Sequence, residues 1–129
     1  SATIPTTGGV VDTTPITPTG SPFANVACNS PSTLQLTSLN GGVFNSSTLS
    51  GFDNVIDYTA SATWNSVTAT IDTSTNTAAS IGGNETGSPE SVATSGSGSL
   101  SVTITPIING QPLVTGSYAD TLRITLMPQ

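Results

Sequence analysis

In Ile56-Asp57-Tyr58-Thr59-Ala60-Ser61-Ala62-Thr63-Trp64-Asn65-Ser66-Val67-Thr68-Ala69-Thr70-Ile71 two alternating runs flank a polar dipeptide. From 56 to 64 every even position is apolar or aromatic: Ile56, Tyr58, Ala60, Ala62 and Trp64. Asp57, Thr59, Ser61 and Thr63 interleave with them, and Val55 precedes them on the same odd phase. A period of two puts the sets on opposite faces of a strand, whereas a helix scatters them around its circumference. Asn65-Ser66 then reads as a two-residue hairpin turn, with Val67, Ala69 and Ile71 returning along the next strand. Trp64 is in phase with Ile56 and Tyr58, which assigns it to the core and not to an exposed binding platform.

Downstream, residues 72–98 are rich in Ser, Thr, Asn and Gly and read as a long connection with a short strand near Val92. Leu100, Val102 and Ile104 alternate towards Pro106-Ile107-Ile108. Asn109-Gly110 predicts a type I′ hairpin, whose central residues both need positive φ, and Leu113-Val114 starts the return. Leu122, Ile124 and Leu126 form the last strand, with Thr121, Arg123 and Thr125 outward. Upstream, Leu34, Leu36 and Leu39 lead to an Asn40-Gly41-Gly42 turn, and Val43-Phe44 adds a short segment before the Asn45-Ser46-Ser47 loop. Residues 1–25 hold Pro5, Pro15, Pro18 and Pro22 with Gly8, Gly9 and Gly20. These forbid a helix and restrict strands to short pieces. The reading is an N-terminal arm, either loose or ordered by pairing, with Val10-Val11 as a strand seed, ahead of one domain over 26–129. No window combines a helix period with caps, so the expected fold is all-β. It is an antiparallel immunoglobulin-like sandwich of about six to eight strands.

Composition narrows the chemistry. The 129 residues include no lysine, no histidine and one arginine, Arg123, against seven acids, for a net charge of −6. Without histidine or lysine there is no side chain of intermediate pKa to act as a general base. One cation neutralises no phosphate backbone, so nucleic acid is excluded as a partner. Lysine–asparagine cross-links are excluded because the chain has no lysine. No run reaches membrane-spanning length, so membrane insertion is not expected. No basic-then-apolar leader is present, so the chain is expected to start after processing or partway into a precursor. Cys28 has no partner for an internal disulfide. It reads as a small buried hydrophobe or as half of a bridge to something outside this sequence, and nothing cationic nearby activates it.

The remaining chemical candidates are weak. Asp72-Thr73-Ser74 echoes the Asp-Thr-Gly of aspartic proteases, but Ser replaces the Gly and no second copy exists. Asp53 and Asp57 offer carboxylates at a spacing that fits no EF-hand loop. A carboxylate pair for glycoside hydrolysis is a matter of separation, and the chain has few aromatics to stack on a sugar. Asn45 and Asn84 begin glycosylation sequons, which matter in a glycosylating host. Arg123 reads as a strand-face charge near Asp120 or Asp57. No catalytic residue, metal or cofactor is expected.

Gly116-Ser117-Tyr118-Ala119-Asp120-Thr121-Leu122-Arg123-Ile124-Thr125-Leu126, with Pro112-Leu113-Val114-Thr115 before it, resembles the last strands of the spore coat protein U family. That family includes subunits of archaic chaperone–usher pili. Cys28-Asn29 followed by Leu34-Gln35-Leu36 resembles the second-cysteine strand of such exported domains, and Gly51–Ala60 is similar to segments of related surface proteins. The upstream partner cysteine usual in the family is absent from this chain. The resemblance implies a structural subunit of an extracellular bacterial filament or coat. Its sandwich would lack a strand, which another copy's N-terminal extension supplies by strand addition. It implies donor residues Ile4, Val10, Val11 and Ile16, and acceptor strands with Leu34, Leu36, Leu122, Ile124 and Leu126. Further partners would be a periplasmic chaperone and an outer-membrane usher. The alternative is a monomeric secreted adhesin or carbohydrate-binding module; an acid-dependent hydrolase ranks last.

Overall fold

In the computed structural model, which describes residues 2–19, 23–75, 83–93 and 95–128, the 56–71 stretch forms the expected hairpin. Strand β7 (Tyr58–Trp64) pairs antiparallel with β8 (Val67–Asp72). Asn65 and Ser66 take φ of 48° and 64°, the left-handed pair whose twist matches that of the flanking strands. On its other edge β7 meets β11 (Gly96–Pro106), and the first half of β11 meets β3 (Phe23–Cys28). The first sheet therefore runs β3-β11-β7-β8.

The second sheet is centred on β4 (Ser32–Ser38). On one side it meets β12 (Leu122–Pro128); on the other lie β9 (Glu85–Thr86) and β10 (Glu90–Val92). Two small ladders stand apart: β1 (Thr6–Thr7) with β2 (Val10–Val11), and β5 (Val43–Phe44) with β6 (Val55–Ile56). Every ladder is antiparallel. The two large sheets share one core, with Leu34, Leu36 and Val92 from one and Tyr58, Ala60, Ala62, Trp64, Ala69, Ile71, Leu100 and Val102 from the other. The fold is an all-β antiparallel sandwich. Trp64 is its centre, fully buried, and its indole N–H donates to the Val26 carbonyl at 3.1 Å, which satisfies the one polar group that this side chain buries. Among the described residues no helix is long and apolar enough to cross a membrane.

Several elements differ from the sequence reading. Asn109-Gly110 makes no hairpin: neither residue has positive φ, and no strand follows at Leu113-Val114. The Asn109 amide is instead engaged by the arm, at Val11 and Gly9. The 72–98 connection holds a 3₁₀ turn (Thr73–Thr75) and three strand segments, with 76–82 and 94 outside the described residues. β11 begins four residues before Leu100, because Gly96-Ser97-Gly98 pairs with β3 by backbone alone. A Cβ at Gly96 would lie 2.3 Å from the amide nitrogen of the exposed Asn65 side chain, which would have to turn aside. The stretch read as an arm, 1–25, includes the start of β3 and is docked on the domain at Gly9, Val11 and Ile16, with 1 and 20–22 outside the described residues.

Candidate functional site

The two sheets meet where β8 lies against β4 and β10, and stand apart where β12 faces β11. β12 is bonded to β4 along one edge, and among the described residues its other edge has no backbone partner. Ile124 and Leu126 lie opposite Leu36 and Leu34 and so face the same interior. Yet Leu34 and Leu36 are fully buried, while Leu122, Ile124 and Leu126 are half-buried. The same step occurs in the other sheet, where Val102 is buried and Ile104 is not. The gap between β12 and β11 is a groove of ≈ 680 Å³. Ile56, Tyr58, Val102, Ile104, Leu122 and Ile124 line it, and Ile4 and Ile16 of the arm sit at its lip.

A polar knot fixes the end where β12 begins. One Asp120 carboxylate oxygen accepts from the Tyr58 hydroxyl at 2.5 Å and the Ser38 hydroxyl at 2.6 Å. The other accepts the Asn40 and Thr121 backbone N–H groups at 2.9 and 2.8 Å. The Gly42 N–H donates to Ser38 Oγ at 3.1 Å, which extends the knot into the turn after β4. One side chain thus ties β4, β7 and the start of β12 together. Burial, and then the bond to Asp120, push the Tyr58 phenol above its ordinary 10.0. The folded state keeps that proton where the unfolded chain loses it. The stability that this phenol contributes is therefore fully present well below pH 10 and is lost as pH rises above it. Urea midpoints measured from neutral pH to about pH 11 should drop on the alkaline side, and Tyr58→Phe should flatten that drop while lowering the neutral value.

The acids named from sequence accept hydrogen bonds from the residues around them. Asp53 accepts the Gln111 N–H at 3.0 Å. Asp57, raised by burial, accepts the Thr73 hydroxyl at 2.9 Å. Asp72 accepts both the N–H and the hydroxyl of Ser74 in an exposed turn. No three metal-ligating side chains cluster among the described residues. Arg123 lies opposite Thr37 and makes no ion pair among them, since Asp120 is occupied by the knot. Cys28 is half-buried and packs against the core; the Ser32 hydroxyl donates to it at 2.7 Å and holds its thiol below the ordinary value. Asn45 is buried with its amide bonded to Thr115 and Ser47, so its sequon is closed, whereas Asn84 is exposed.

The predicted donor and acceptor residues separate. Leu122 and Ile124 line the groove; Leu126 packs beyond it. Leu34 and Leu36 belong to a strand paired on both edges, so β4 offers no free edge to a donor. In the arm, Ile16 exchanges backbone bonds of 2.7 and 2.8 Å with Ile104 of the same chain. Val11 is buried, Val10 is exposed, and Ile4 reaches the groove. Sequence reasoning missed Ile56, Tyr58, Ile104 and Asp120 as site residues. Alternation had placed Ile56, Tyr58 and Ile104 inward, but a residue facing inward looks the same beside a closed core or an open groove. No family model, no curated protein and no solved structure matches the chain.

Proposed function

We propose that this protein is a structural subunit of an extracellular bacterial filament or coat, assembled by strand addition between copies, with no enzymatic role. The observation that carries the reading is the unfinished core: half-buried Ile104, Leu122 and Ile124 beside the unpaired edge of β12. An incoming strand would bond to that edge and cover those side chains. Taking each from half-buried to buried contributes roughly 1 kcal/mol, before any backbone bonds are added. The resemblance of residues 116–126 to the spore coat protein U family supports the same assembly, and with it a periplasmic chaperone and an outer-membrane usher as partners. A head-to-tail contact of this kind does not close and grows a fibre.

Electron microscopy of concentrated protein should reveal fibres, and electrophoresis without boiling should give ladders. A monodisperse monomer at every concentration would instead favour a secreted adhesin or carbohydrate-binding module. Trypsin gives a second readout, because its one site follows Arg123 in β12. Proteases need an extended, locally opened segment, and a donor strand would clamp this one on both sides. Cleavage should slow by about tenfold or more on assembly; equal rates in monomer and assembled material would count against the reading.

A further inference from the structure

We infer that residues 2–11 are a swappable cap: a hairpin turned at Gly8-Gly9 and latched by Asn109 folds the tip Ala2–Ile4 over its own subunit's groove, and opening it presents that tip to a second copy. The inference rests on the strand-addition reading. The turn takes φ of +59° and +78° at Gly8 and Gly9, the type I′ pairing that only residues free to enter the left-handed region adopt easily. It reverses the chain between β1 and β2, with the Asp12 N–H donating to the Pro5 carbonyl at 2.9 Å. The reversal brings Ala2, Thr3 and Ile4 to the groove, beside Ile56 and Tyr58.

The latch is one side chain and one backbone group. Asn109 accepts the Val11 N–H at 2.9 Å and donates to the Gly9 carbonyl at 2.8 Å. The Leu113 N–H donates to the same carbonyl at 3.1 Å. Beyond the hairpin, the Ile16–Ile104 pair anchors the arm to its own domain. The tip can therefore swing without the arm leaving. Once straightened, residues 2–11 span about 33 Å, longer than the roughly 23 Å of β12. Even-numbered residues then share a face, so Val10 joins Ala2 and Ile4. Val10 is 49% exposed in the hairpin, so the open form offers an apolar side chain that the capped form leaves in water. The packing that a tip gives up on leaving its own groove is restored in the groove of its neighbour, which is the low-cost logic of swapping an identical element.

Two variants test the cap. Asn109→Ala removes the latch. Gly9→Val leaves residues 107–112 untouched and places a branched side chain at positive φ, with its Cβ 3.3 Å from the Leu113 nitrogen. Hydrogen exchange in the monomer is read at the amides of Asp12 and Leu113, with Ile16 and Ile104 as controls. Both variants should exchange about tenfold faster at the first two, with the controls unchanged, and both should assemble faster than the unaltered chain. Unchanged exchange at Asp12 and Leu113 overturns the cap whatever assembly does. So does raised exchange with assembly no faster than that of an unaltered chain that does assemble. Raised exchange with no assembly in any form supports the cap and overturns the strand-addition reading in its place.

Discussion

Ile124→Asp should leave a folded monomer that no longer assembles. Ile124 is half-buried on the floor of the open groove, so in the lone subunit a carboxylate there reaches water and folding survives. A donor strand would seal that carboxylate against Val102 and Ile104 with no cation to pair it, because the chain's one arginine lies next to it on the opposite face of β12. Burying an unpaired charge costs several kcal/mol or is relieved by uptake of a proton. Self-association should weaken by about 100-fold or more, read by sedimentation velocity at neutral pH. Thr103→Asp, on the exposed outer face of β11, should leave association unchanged. Equal loss in both variants would point to general charge repulsion.

Asp120→Ala should cost about 3 kcal/mol of folding stability, because four donors lose their acceptor and two of them are hydroxyls of buried residues. Asp120→Asn retains one acceptor oxygen and should fall between Asp120→Ala and the unaltered chain. The effect belongs to the network and not to one bond: combining Asp120→Ala with Tyr58→Phe should cost clearly less than the sum of the two alone. Urea unfolding of these variants and the unaltered chain at neutral pH measures this. Additive losses would mean that the Tyr58 bond contributes independently of the knot.

How much of this was legible in the residues depends on what each element uses to hold itself. β7, β8 and β12 alternate strictly, so the period of two located them and put Trp64 in the core. Gly96-Ser97-Gly98 has no apolar side chain to alternate, and that half of β11 is held by β3 through backbone bonds that a pattern cannot reveal. Asn109-Gly110 has the residues of a type I′ turn, but the Asn109 amide found better partners 98 and 100 residues away, and tertiary contacts override local preference. The groove was invisible for a different reason. Ile104 and Ile124 carry the same inward phase as Val102 and Leu36, and only the missing neighbour of β12 distinguishes them. The residues by themselves lead to the sheet; which of its edges lacks a neighbour is settled only by the folded chain.

Two single-cysteine chains report whether the tip of one copy occupies the groove of another. In a Cys28→Ser background, one carries Ile4→Cys and the other Ile124→Cys, and the two are mixed and oxidised. If one copy's tip enters another's groove, the mixed 4–124 dimer should dominate over both like-with-like dimers. It should also diminish when an excess of the cysteine-free Cys28→Ser chain competes for the groove. Chains that stay monomeric under oxidation, or that cross-link in the proportions of random collision, would rule out exchange of the tip between copies.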